Sequence, residues 1–212
     1  MKLTFITIFP DLVENFFAEG LLAKARRTGK IKVATVNPRD FATDKHGTVD
    51  DAPYGGGAGL VMKIEPLVKA IKSVGRKNKQ RRIILMDARG KRFTQKEAKR
   101  LAKYAELVFI SGRYEGVDER VKHYIDEQIS LGEFVLMGGE VAALTITEAV
   151  VRLLPGVLGN EESSQAESFS VGSNLEHSHY TRPEVFDGHK VPKVLLSGDH
   201  QAIEQWRRKN SS

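Results

Sequence analysis

The sequence predicts an α/β fold, an open and mostly parallel sheet with helices on both faces, and three observations carry that prediction. Short apolar runs bounded by turn residues alternate along the chain with segments whose apolar residues recur at helical spacing. Three glycine-rich corners, residues 54–59 (YGGGAG), 111–116 (SGRYEG) and 136–140 (LMGGE), lie in or beside apolar segments. Glycine tolerates positive φ and close approach of a ligand, and ligands of parallel sheets sit at the carboxyl ends of the strands. The 212 residues are 41% hydrophobic and include no cysteine, so the core is ample and must hold by packing alone.

Taken in order, residues 2–9 read as a buried strand. Pro10 opens a helix to residue 27, with Leu12, Val13, Phe16, Phe17 and Leu21 at helical spacing and Gly29 as its stop. Residues 30–36 form a second strand, followed by a polar loop over 37–53 whose length marks it as functional. Residues 65–74 read as a helix, 82–86 as the third strand, 94–103 as a basic amphipathic helix and 107–110 as the fourth strand, running into the second glycine corner. A short helix over 117–124 and a strand over 127–130 lead to the third corner. Residues 140–154 are helical, stopped by Pro155 and Gly156. The polar stretch NEESSQAESFSVGS at 160–173 reads as a linker. The expected division is a first domain over 1–159, a linker over 160–175 and a small, mainly helical C-terminal domain over 176–212.

Lysine and arginine number 33 against 27 acidic residues, a formal charge of +6 that favours a polyanionic partner such as nucleic acid or a phosphorylated substrate. No standard nucleotide motif accompanies the charge. A G-x-G-x-x-G counted from Gly55 puts Leu60 at its last position, and no P-loop occurs. Any one corner alone is equally consistent with a tight turn and no ligand. The N-terminal apolar stretch is too short for a membrane span and lacks a signal-peptide cleavage pattern, so a cytoplasmic protein with no membrane partner is expected. His177 and His179 lack the carboxylate or cysteine spacing of a metal site, and no metal ligands are assigned.

Nine strings occur in order: FPD, NPRDF, TVDDAPYGGGAGLVM, FISGRYEGVDERV, LMGGEVAAL, RLLPGVLGN, ESF, HYTRPEVFDG and VPKVLLSGDH. Together they resemble the bacterial tRNA (guanine-N1)-methyltransferases of the TrmD type over essentially the whole chain. The resemblance implies the SPOUT fold, with a deep trefoil knot in the carboxyl-terminal part of the sheet, a rare exception to unknotted connections. It also implies a homodimer whose active site is completed by the partner subunit, S-adenosylmethionine as methyl donor in the knot loops, and tRNA as substrate. The methylated atom would be N1 of the guanine immediately 3′ of the anticodon. Magnesium (Mg2+) is admitted as an assisting ion, although no dedicated motif for it is visible.

By this resemblance the donor pocket uses Gly112 and the segment Leu131, Gly132, Glu133, Phe134, Val135 and Leu136, with Glu115, Gly138 and Gly139 nearby. The family's Ser-Pro-Gln-Gly is here Asp87-Ala88-Arg89-Gly90, which puts Ala88 where a proline would border the adenine. A sulfonium and an adenine want apolar walls, backbone hydrogen-bonding groups and little bulk, which glycine corners supply. Core packing is the alternative reading of Phe134 and Leu136. Methylating guanine N1 requires removal of a weakly acidic proton and stabilisation of charge at O6, hence a base and a cation. The resemblance assigns the base to Glu167, where the family carries aspartate before a Ser-Phe pair, and the cation to Arg152. Without the resemblance, Glu167 reads as a solvated linker acid.

RNA contacts call for cations at phosphates and aromatic rings beside an extruded base. The candidates are Arg39, Lys45 and His46 in the long loop, and Tyr180, Arg182, Trp206, Arg207 and Arg208 in the second unit. The basic run RKNKQRR at 76–82 reads as a solvated turn. Relatives generally continue beyond the position of Ser212 through a further basic helical segment, so a shortened tRNA-binding domain is expected. Two other functions are consistent with the sequence: a SPOUT methyltransferase acting on another RNA, and, from Glu167 and Ala88, a tRNA-binding protein that keeps the fold without catalysis.

Overall fold

Residues 1–75, 78–159, 168–169 and 175–211 are described by the structure, a computed structural model. The chain divides into two units, Met1–Gly159 and Asn160–Ser212. In the first, β1 (Lys2–Ile6), α1 (Pro10–Phe16), α2 (Gly20–Arg27) and β2 (Lys32–Val36) are followed by a 3₁₀ turn over Pro38–Phe41. A two-stranded hairpin, β3 (Asp50–Asp51) and β4 (Val61–Met62), leads to α3 (Ile64–Ser73), β5 (Arg81–Arg92), α4 (Gln95–Leu101) and β6 (Glu106–Ser111). A 3₁₀ turn over Glu119–Tyr124, β7 (Glu127–Ser130) and α5 (Gly139–Val151) complete it. The main sheet has the order β2-β1-β6-β5-β7, and every pairing within it is parallel.

Alternate residues of a strand face opposite sides, and here both sides are buried. Ile84 and Met86 of β5 with Leu107 and Phe109 of β6 enter one core, against Val13, Ala25, Leu101 and the inner face of α5. Ile83, Leu85, Val108 and Ile110 enter the other, against Leu67, Val68 and Ile71 of α3 and Val121. This two-sided burial is why the strands read as continuous apolar runs. The predicted α/β class and parallel sheet are therefore present. Among the described residues no helix is long and apolar enough to cross a membrane.

Four element predictions are corrected. The helix expected over 10–27 is two helices. Phe17, buried against Phe5, closes α1, and Gly20, the first residue of α2, takes φ 66°, so the chain turns between the two helices and Leu21 is left exposed. The loop over 37–53 is shorter than expected, since it contains the Pro38–Phe41 turn and β3. The strand expected to end at Met86 runs on to Arg92 after an irregularity: both Met86 and Lys91 pair with Ile129. The basic run at 76–82 is not all solvated turn, because its last two residues open β5, with Arg81 Nε 2.5 Å from Glu106 and Arg82 Nε 2.7 Å from Glu127.

Gly90 shows how tightly that irregular segment lies on its neighbour. A Cβ there would sit 2.5 Å from Ile129 N and 2.6 Å from Gln128 C, both backbone atoms. Gly90→Ala is therefore expected to destabilise the fold by about 1–3 kcal/mol, the usual cost of overpacking. Gly159→Ala, with nothing within 4 Å of its added Cβ, should stay within about 0.5 kcal/mol of the parent. Urea unfolding of the two variants checks the difference.

The second unit holds a small hairpin, β8 (Val185–Phe186) with β9 (His189–Lys190), then α6 (Lys193–Leu196) and α7 (His200–Asn210). The hairpin adds two short strands to a unit expected to be mainly helical. Asp187 (φ 48°) and Gly188 (φ 80°) make the turn, and an Asp-Gly pair is suited to two positive φ values. Asp199 starts α7 by accepting from the N–H groups of Gln201 and Ala202, both at 3.0 Å.

Candidate active site

The carboxyl ends of β6 and β7 and the irregular middle of β5, the strand between them, meet at one cleft of about 380 Å³. Its walls come from Leu85 to Arg89 in the irregular middle of β5, Gly112 to Val117 after β6, and Ile129 to Gly132 at the end of β7 with Phe134 to Gly139 beyond it. Glycine is required where these segments meet. Gly139 N–H donates to the Gly112 carbonyl at 2.9 Å, and a Cβ on Gly139 would lie 2.8 Å from Ser111 Cα. The start of α5 can therefore rest directly on the end of β6. Leu85, Met86, Ile129, Leu131, Phe134, Leu136 and Ala142 give the cleft apolar walls.

A buried ion pair ties the corners together. Glu140, whose side chain is fully buried, accepts from Thr7 Oγ1 at 2.7 Å and from Arg113 Nε at 2.9 Å. It sits in the first turn of α5, where the helix dipole favours a carboxylate. The Arg113 guanidinium also lies 4.4 Å from the centre of the Phe9 ring. One arginine thus joins the second corner, the third corner and the end of β1. Arg113 and Glu140 both stand inside quoted motifs, yet nothing in their spacing announces that they meet.

The first glycine corner is held beside the second rather than in the cleft. Glu115 N–H donates to the Leu60 carbonyl at 2.9 Å, and Met62 N–H to that of Gly116 at 2.9 Å. Tyr114, at φ 59°, has the Asp50 carboxylate and the Arg39 guanidinium at its hydroxyl. Burial, with that carboxylate, raises its pKa above the ordinary phenol range. Arg39 donates to the Gly47 carbonyl at 3.1 Å, so the polar loop is fastened to the corner that lines the cleft.

Of the proposed donor residues, Ala88, Gly112, Glu115, Leu131, Gly132, Phe134, Val135, Leu136, Gly138 and Gly139 line the cleft. Glu133 is exposed and does not line it, because its neighbours on both sides take the inward positions. Arg152 is the C-cap of α5, the opposite end of the helix from Gly139. At 1.5 Å per residue the two are about 20 Å apart. No arginine side chain spans that distance, so one chain does not bring Arg152 to its own cleft. Glu167 lies outside the described residues.

Lys45 and His46 are exposed at the tip of the polar loop. In the second unit Trp206 has the rings of His177 and Tyr180 at 6.0 and 6.3 Å, and Arg182 and Arg207 are exposed. Among the described residues no group of three or more His, Cys, Asp or Glu side chains could hold a metal ion.

A family model described as tRNA (Guanine-1)-methyltransferase TrmD matches residues 1–212. The chain is 50% identical to the tRNA (guanine-N(1)-)-methyltransferase of Anoxybacillus flavithermus, an alignment that covers 100% of this chain and 86% of that protein. It is 48% identical to proteins of the same name from Bacillus cereus strain AH820 and Bacillus anthracis strain A0248, covering 100% of this chain and 87% of each. With a match over its full length and identity near one half, the chain belongs to the TrmD family of tRNA (guanine-1)-methyltransferases.

Proposed function

We propose that the protein methylates N1 of the guanine immediately 3′ of the anticodon in tRNA, as a homodimer in which the donor cleft of one subunit works with Arg152 and Glu167 of the other. It is an S-adenosylmethionine-dependent tRNA (guanine-N1)-methyltransferase. The cleft suits that donor: its volume falls in the range of small-ligand sites, and glycine backbone and apolar side chains dominate its walls. S-Adenosylmethionine supplies a methyl group on a sulfonium, which leaves as neutral S-adenosylhomocysteine. Glu167 takes the N1 proton as the N1–CH₃ bond forms, and Arg152 offsets the negative charge that gathers on guanine O6. No step is assigned to magnesium, for which the described residues provide no ligand set.

The observation that carries the shared site is the separation of about 15 Å along α5 between Ala142, the cleft residue furthest along the helix, and Arg152, more than an arginine side chain spans. A second subunit removes the conflict. Exposed Val135, Met137 and Val141 beside the cleft, with Phe9 and Leu12 at the start of α1, offer apolar surface for that contact. Methyl transfer from labelled donor to unmodified tRNA, with the modified base mapped, should give 1-methylguanine next to the anticodon. A different base would point to another RNA target, and no product to a binding protein. Mixing inactive Glu167→Ala chains with inactive Gly112→Trp chains should restore up to about a quarter of the sites through heterodimers. No recovery in proven heterodimers would refute the shared site.

A further inference from the structure

The cleft wall formed by residues 87–89 lies in the stretch where β5 loses its pairing with β7, since both Met86 and Lys91 pair with Ile129. A segment without ladder hydrogen bonds needs another restraint to keep one shape. The Asp87 side chain, 13% exposed, provides it. Its Oδ1 accepts from the backbone N–H of Arg89 at 2.8 Å, closing a turn over Ala88, and from Arg89 Nε at 3.2 Å. Its Oδ2 accepts from Arg89 Nη2 at 3.0 Å and from Gln128 Nε2 at 2.8 Å. The forked guanidinium fixes Arg89, and the Gln128 bond anchors the turn to β7. Arg89 also reaches Glu119 at 3.4 Å, beyond the second corner. Burial alone would push the Asp87 carboxyl up, but the bonds to Arg89 hold it below the usual carboxylate range.

We propose that Asp87 is a positioning residue for the methyl donor. It locks the Asp87-Ala88-Arg89 wall by side-chain hydrogen bonds at the place where the family pattern relies on a proline ring. The proposal rests on the reading of the cleft as the donor site. A proline fixes φ covalently, whereas alanine leaves it free, so the restraint must come from a neighbour. Asp87 is the neighbour that touches both the far side of the turn and the adjoining strand.

The test uses the full chain and S-adenosylhomocysteine as calorimetric probe, with tRNA affinity and kcat at saturating donor measured alongside. Asp87→Ala should raise the probe's Kd about tenfold, the scale of losing charge-assisted hydrogen bonds, and raise the donor KM in parallel. Its tRNA affinity and kcat should stay within about twofold. Asp87→Asn keeps the acceptor for Arg89 N–H but loses the ion pair, and should cost about threefold. Adding Ala88→Pro to Asp87→Ala should recover most of the loss, since the ring restores what the carboxylate supplied.

An unchanged Kd in Asp87→Ala overturns the proposal, as does an equal fall in tRNA affinity and kcat, or a failure of Ala88→Pro to recover binding. Should Asp87→Ala not fold, an unchanged Kd in Asp87→Asn overturns it instead. If the parent itself does not bind the probe, the donor reading of the cleft falls and takes this proposal with it. If the parent binds and Asp87→Ala binds equally well, only the lock is wrong.

Discussion

Glu167→Gln is expected to slow single-turnover methyl transfer by at least about 10²-fold while donor and tRNA affinities hold, because the amide keeps the shape of the side chain and cannot accept the N1 proton. The size follows from the chemistry. Guanine N1–H is far less acidic than a carboxylic acid, so the proton must leave as the methyl group arrives, and the base must be within hydrogen-bond reach at that moment. Glutamate in place of the family's aspartate moves the carboxylate by about 1 Å, a displacement that can cost on the order of 10²-fold where geometry is critical. Glu167→Asp therefore reports whether the surrounding loop has adapted to the longer side chain, and its effect should be milder than that of glutamine. Arg152→Ala should act on the same step, and combined with Glu167→Gln it should be less than multiplicative. Transfer by Glu167→Gln at the parent's rate would remove Glu167 as base and turn attention to Glu161, Glu162 and Glu176. Of these, Glu176 already lies 3.1 Å from His179.

What the sequence made legible was local pattern, and what it hid was contact. β7 was readable at its observed bounds, Glu127–Ser130, from its place between the short helical segment and the third corner, although Ile129 is its one apolar side chain. The break between α1 and α2 was hidden because the apolar period continues through Phe17 to Leu21, and periodicity does not register the positive φ of Gly20. The continuation of β5 past Met86 depends on its pairing with Ile129, a partner about forty residues away in the chain. The hairpin of β8 and β9 could have been read. Asp187-Gly188 between Val185-Phe186 and His189 is a two-residue turn signal of known type.

For the site, the second and third corners were correctly expected at strand ends, and the cleft unites them. The first corner instead belongs to the β3–β4 hairpin and braces its neighbour. The Arg113–Glu140 pair was invisible because it requires β6 and α5 to be brought together first. The expectation of a knot rests only on the family pattern, as local residue preferences carry no information about chain crossing.

Truncation after Gly159 is expected to weaken tRNA binding by about 10²-fold or more while the donor Kd changes by less than about twofold. The first unit should survive the cut, because both hydrophobic cores lie within residues 1–159. The loss should not be mainly electrostatic. Residues 160–212 carry eight acidic side chains against six lysines and arginines, so the cationic surplus of the chain resides in the first unit. What the second unit offers is aromatic surface, Tyr180 and Trp206 with the nearby His177, and a cationic end of α7 at Arg207, Arg208 and Lys209. Base stacking on an aromatic ring is worth about 1–3 kcal/mol, enough for two such contacts to account for the loss. The weak binding that remains should still fall steeply with salt, because the first unit keeps its cations. In the full chain, Trp206→Ala should cost about tenfold without changing the salt slope, whereas Arg207→Ala should reduce the slope by about one. Fluorescence titrations with unmodified tRNA across a range of salt concentrations separate these effects. A truncated protein that binds tRNA as tightly as the full chain would place the whole RNA site on the first unit, around Arg39, Lys45 and His46.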